Sequence, residues 1–182
     1  MRIDAMLILA MIFLVIVMIL YLPVFFILKK KGKGLLRQLS YLLFVWSFLL
    51  IIFVTLTPIT FSPEHYHLNL IPFLWLGNEN INRIELIESI GNVLMFIPLG
   101  LFIPTVFEKS RKFYSTVVAI LIISYSIEFL QYFMGRIADI DDLIVNLLGG
   151  MMGYGIFKVF NHLFNSKTWW VKFIGMHNER KM

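Results

Sequence analysis

The stretch SYSIEFLQYFMGRIADIDDLIVNLLGG, residues 124–150, decides how this chain folds. It joins two hydrophobic runs by a short polar turn. Glu128, Gln131, Arg136, Asp139, Asp141, Asp142 and Asn146 lie at or inside the ends of those runs. Ionisable side chains in segments that cross a bilayer are costly, so they face a partner, a cavity or a site rather than lipid.

The rest of the chain fits a membrane setting. Of its 182 residues, 59% are hydrophobic and 15% charged, where a soluble domain averages about 45–50% and about 25%. The excess is gathered into blocks. The first, Ala5 to Leu28, has 24 residues without a charge. About 20 apolar residues cross a bilayer, so this block predicts a membrane helix. It is too long for a signal-peptide core and has no small-x-small cleavage pattern after it, so it is expected to be retained. Cysteine is absent, which excludes disulfides, thiol chemistry and thiolate metal sites.

Five spans are expected, at residues 5–28, 39–57, 86–107, 113–134 and 143–164. The fold class is therefore an all-α membrane bundle of about five helices, with 1–182 as a single transmembrane domain. Residues 165–182 form an interfacial tail, anchored by Trp169, Trp170 and Phe173 beside Lys167 and Lys172. The third span is the weakest, with Glu88 and Asn92 in its first turns and Pro98 and Pro104 further along. Neighbouring helices satisfy carbonyls freed by proline. Either a kinked span or a partly re-entrant hairpin fits.

Alternation through five spans puts thirteen basic residues on one side and only Arg2, Arg83 and Arg136 on the other. The positive side is cytoplasmic, which predicts a multi-pass cell-membrane protein with its N-terminus outside and its C-terminus in the cytoplasm. The same clusters attract anionic lipid heads. They lack any groove-reading motif, so membrane lipid is an expected partner and nucleic acid is not.

Pro58 to Gly91 is the longest connection and falls outside on this topology. Leu70, Ile71, Phe73, Leu74, Trp75 and Leu76 make it apolar enough to lie in the outer interface or fold back onto the bundle. His65 and His67 beside Glu64 supply at most part of a metal site, which needs three or four fixed ligands. No metal and no cofactor is expected.

Helical spacing then assembles a site. Ser124, Glu128 and Gln131 follow i, i+4, i+7 and share one stripe, as do Asp142, Asn146 and Gly149 on the next helix. Glu128 lies about 9 Å of helix below Met134, Asn146 lies at a comparable depth, and Asn92 enters from the third span. One outward-facing pocket of Asn92, Glu128, Gln131, Arg136, Asp139, Asp142 and Asn146 follows. Capping of the last long helix falls to at least one of Asp139, Asp141 and Asp142, with Asp141 the preferred residue. Arg136 pairing with Glu128 or Asp139 would make the cluster structural instead. Several carboxylates around one arginine point to raised pKa values or to a cationic or hydrogen-bonding ligand. Gly149 and Gly153 form a G-x-x-x-G face for close helix approach, which would also suit an oligomer.

These residues carry a resemblance. L-T-P at Leu56–Pro58, N-L-I-P-F at Asn69–Phe73, G-N-V-L-M-F-I-P-L-G at Gly91–Gly100, and S-x-x-I-E-x-x-Q from Ser124 occur in that order. G-R-x-x-D-x-D-D-L-x-x-N-x-x-G-G then runs to Gly150. Together they resemble the VanZ-like family of small membrane proteins, named for a glycopeptide-resistance protein associated with teicoplanin. The family's motif positions carry over onto Asn92, Pro98, Glu128, Gln131, Arg136, Asp139, Asp142, Asn146 and Gly149. The resemblance implies a polytopic bacterial envelope protein and, for some members, lowered susceptibility to lipid-tailed glycopeptides. It supplies no established reaction.

Four functions compete, one of them a purely structural or assembly role. A non-catalytic protein would bind or shield outer-leaflet amphiphiles, either a lipid-linked cell-wall precursor or an acyl-glycopeptide antibiotic. An intramembrane enzyme would use Glu128 or Asp142 as general base on a lipid head group, with Arg136 holding an anion. The chain has no G-x-S-x-G elbow, phosphate-cradling loop or H-E-x-x-H to strengthen that reading. A transporter would need two such chains, since five spans show no internal repeat.

Overall fold

A computed structural model describes residues 3–56, 68–73, 83–134 and 138–176. His65, His67, Trp75 and Arg136 fall outside the described residues. The chain runs α1 (Ile3–Lys30), α2 (Leu35–Leu56), β1 (Leu68–Asn69), α3 (Arg83–Val106), a 3-10 turn (Glu108–Arg111), α4 (Phe113–Phe133), β2 (Ala138–Asp139), α5 (Ile140–Phe164) and α6 (Thr168–Ile174). Among the described residues, four stretches, Leu35–Thr55, Glu85–Val106, Phe113–Phe133 and Ile140–Phe164, are long and apolar enough to cross a membrane. The 28-residue α1 carries the uncharged block expected as the first span. The all-α membrane class holds.

The helices are inverted relative to those of a water-soluble protein, in which a surface helix turns its polar face outward. On α4, Val118, Ile122, Tyr125, Phe129 and Phe133 are exposed, while Thr116, Ser124, Glu128 and Gln131 are buried. Lipid receives the apolar stripe and the bundle receives the polar one. Between the helices, Ile51 of α2, Phe96, Leu99 and Ile103 of α3, and Ile120 and Ile127 of α4 form one apolar core.

The weak third span resolves as a continuous helix. α3 holds both Pro98 and Pro104 inside 24 residues, about 36 Å at about 1.5 Å per residue. That exceeds a hydrocarbon core of about 30 Å, so the re-entrant hairpin is not what forms.

The helix fits because α5 lies against it backbone to backbone. A Cβ at Gly149 would fall on the Val93 carbonyl, one at Gly153 on that of Ile97, and one at Gly100 on that of Gly150. Only glycine permits this approach, which small-residue helix pairs in membranes exploit. The helix that the Gly149/Gly153 face approaches closely is α3 of the same chain.

At the end carrying the basic loops, two arginines serve as more than topology signals. Arg37 donates to the carbonyls of Thr105 (2.8 Å), Val106 (2.6 Å) and Phe173 (3.1 Å). Arg111 donates to that of Ile174 (2.6 Å). The last carbonyls of a helix have no partner within it and favour a cation. Arg37 and Arg111 therefore tie α2 and the 3-10 turn to the C-terminal ends of α3 and α6. Burial pushes the Arg111 guanidinium below its ordinary pKa, Glu108 at 3.5 Å opposes that, and Arg37 adds to it.

α6 is docked here against the bundle. Trp170 is 2% exposed, packed on Phe157, and donates to Asn161 Oδ1 at 3.1 Å. Of the tail aromatics, Trp169 stays open at 46% exposure. The Trp170 indole N–H thus takes its partner from α5.

Arg37→Met should test this clamp. Hydrogen bonds to a charged donor contribute about 1.5–3 kcal/mol each, so losing several at once should cost at least about 3 kcal/mol. A thermal-shift assay on the purified protein reads this as a lowered melting temperature, with α6 becoming open to protease.

Candidate ligand recess

At the other end of the bundle the polar stripes converge on a cavity of about 330 Å³. α2 contributes Val54 and Thr55, and α3 contributes Glu88, Gly91, Asn92 and Met95. α4 supplies Ile127, Glu128 and Gln131, and α5 supplies Asp142 and Asn146. Each helix enters by the spacing its sequence carries. Glu88, Asn92 and Met95 repeat i, i+4, i+7 on α3, in parallel with Ser124, Glu128 and Gln131 on α4.

The wall is knitted together across helices. Asn92 Nδ2 donates to Asp142 Oδ1 at 2.7 Å, joining α3 to α5. Asn146 Nδ2 donates to Ser124 Oγ at 2.9 Å, joining α5 to α4. Gln131 Nε2 donates to the Thr55 carbonyl at 2.9 Å, satisfying an end carbonyl of α2. One acceptor stays open. Asn146 is 2% exposed and its Oδ1 has no partner among the described residues. A buried acceptor left without a donor costs roughly 1–3 kcal/mol, which a donor entering the recess would recover.

Five of the seven expected residues, Asn92, Glu128, Gln131, Asp142 and Asn146, therefore line one cavity. Arg136 lies outside the described residues. Asp139 is close by but faces elsewhere. It caps α5, its Oδ1 accepting from the Asp141 N–H at 2.9 Å. Its Oδ2 accepts from Asn69 Nδ2 at 3.0 Å, and its own N–H donates to Glu128 Oε2 at 3.2 Å. The cap preferred for Asp141 thus belongs to Asp139, whose extended backbone (φ −115°, ψ 129°) suits an N-cap. Asp141 is buried and accepts the Phe73 N–H at 2.7 Å.

These contacts show what the second motif does. Leu68 and Asn69 pair in parallel with Ala138 and Asp139, and Asn69 Oδ1 accepts the Ile71 N–H at 3.3 Å. Residues 68–73, the described part of that connection, are thus bound to residues 138–141 at the start of α5.

Thr55, Glu88 and Met95 were not foreseen on the wall. The α3 stripe could have revealed Glu88 and Met95. Nothing in the sequence marks Thr55, which takes part through its carbonyl. Replacing Asp139 by alanine should remove the cap and the link to Asn69. The expected loss is at least about 1 kcal/mol, the usual worth of an N-cap, and protease should cut residues 68–73 sooner.

The VanZ/LLP1 family model matches residues 5–161. Protein VanZ of Enterococcus faecium is 34% identical over 140 residues, covering 75% of this chain and 81% of that protein. No solved structure matches.

Proposed function

Since this chain belongs to the VanZ/LLP1 family, we propose that its recess binds the polar head of an amphiphile in the outer leaflet. On this reading the ligand is a lipid-linked cell-wall precursor or an acyl-glycopeptide antibiotic, and occupancy lowers susceptibility to teicoplanin-type drugs. The charge bias of the loops supports an outward recess, with the N-terminus outside and the C-terminus cytoplasmic.

The observation that carries the proposal is the cavity itself, walled by Asn92, Glu128, Gln131, Asp142 and Asn146, with the Asn146 Oδ1 acceptor unmet among the described residues. Carboxylates and amides prefer a ligand rich in hydroxyl or N–H donors. At about 330 Å³ the cavity sits at the small end of ligand pockets, about 300–1,000 Å³. That suits a headgroup fragment better than an entire glycopeptide. The acyl part would remain in lipid against the exposed apolar faces.

The test is drug susceptibility of a sensitive Gram-positive host expressing the chain. Tolerance should rise for an acyl-tailed glycopeptide and not for one without a tail. No rise, with the protein verified in the membrane, would remove the resistance arm of the proposal.

A further inference from the structure

We propose that a groove between α1 and α2, at the end opposite the recess, is a binding site for an anionic phospholipid. Its acyl chain lies along α1 and its headgroup rests against the lysines of the α1–α2 turn. Met18, Leu22 and Phe25 of α1 and Leu35, Leu39 and Leu42 of α2 wall a cavity of about 470 Å³. An adjoining depression, again including Met18 and Leu22, extends the apolar surface to Val15. Val15 to Phe25 is about 15 Å of helix, or one leaflet of a core about 30 Å thick.

Two further observations select the occupant. Lys29, Lys30, Lys31 and Lys33 crowd the turn that closes the groove, all exposed and in no ion pair among the described residues. Juxtamembrane clusters of this kind attract anionic headgroups. Topology alone accounts for such lysines, but not for Gln38. The Tyr21 hydroxyl donates to the Gln38 carbonyl at 2.6 Å, and Gln38 Nε2 donates to the Lys33 carbonyl at 2.8 Å. Gln38 Oε1, on the groove wall, is left buried without a partner among the described residues. It sits in the first turn of α2, level with the lysines, where a glycerol headgroup supplies the donor. This site shares no residue with the recess.

The probe is phosphatidylglycerol. Purified full-length protein is equilibrated in equal phosphatidylglycerol and phosphatidylcholine, then stripped with detergent, and retained lipid is counted by native mass spectrometry. Phosphatidylglycerol should be favoured about tenfold or more, given several headgroup-facing lysines. Changing Lys29, Lys30, Lys31 and Lys33 together to Gln should bring that ratio near unity. Leu39→Trp should fill the groove and lower total retained lipid. The lysine variant alters only exposed positions, so it carries the test if Leu39→Trp fails to fold. Equal retention of the two lipids by the native protein, or an unchanged ratio in the lysine variant, overturns the proposal.

Discussion

Replacing Asn146 with leucine is expected to abolish most of the ligand-dependent phenotype while leaving the protein in the membrane. The side chain is of similar size, and the Ser124 hydroxyl it releases can turn to a carbonyl of its own helix. What disappears is a buried acceptor that has no partner among the described residues. A buried hydrogen bond lost with its partner stranded is worth about 1–3 kcal/mol, or roughly a 5- to 150-fold fall in affinity. Glu128→Gln is the informative companion. A binder that uses Glu128 as an acceptor for the Asp139 N–H keeps an oxygen there and should keep most of its phenotype. An acid–base enzyme would lose about 10²–10⁴ in rate. Susceptibility assays at matched membrane levels distinguish the two, and full activity of Asn146→Leu would remove the recess from the account.

The second large effect is on folding. Gly153→Val should prevent α3 and α5 from closing, because the first added carbon already meets the Ile97 carbonyl. Overpacking a core typically costs about 1–3 kcal/mol, occasionally more, when side chains can shift. Here the obstacle is backbone, so the cost should reach or exceed the top of that range. Since α3 carries Asn92 and α5 carries Asp142 and Asn146, the recess should be lost with the packing. Size-exclusion profiles and protein recovery from membranes read this out, with Gly155→Val as the control, because nothing lies within 4 Å of a Cβ there.

Much of this architecture was legible because lipid imposes simple rules. Apolar blocks marked the spans, and i, i+4, i+7 stripes placed Glu128 and Gln131 opposite Asp142 and Asn146. The boundaries that slipped did so for identifiable reasons. α2 begins at Leu35 rather than 39, since Arg37 does not end the helix but reaches the carbonyls of Thr105, Val106 and Phe173. α5 begins at Ile140 rather than 143, because Asp139 and not a later carboxylate is the cap. Contacts to backbone carbonyls, such as Gln131 to Thr55 and Arg111 to Ile174, have no sequence pattern at all. The pairing of residues 68–69 with 138–139 is equally silent, being two residues long and joining segments about seventy positions apart.

Mass spectrometry of amphiphiles that co-purify with the native protein and with Asn146→Leu tests the recess most directly. A molecule with a donor-rich head and an apolar tail should accompany the native chain and be missing from a correctly folded variant. An identical set of bound molecules in both would contradict a recess that holds a headgroup.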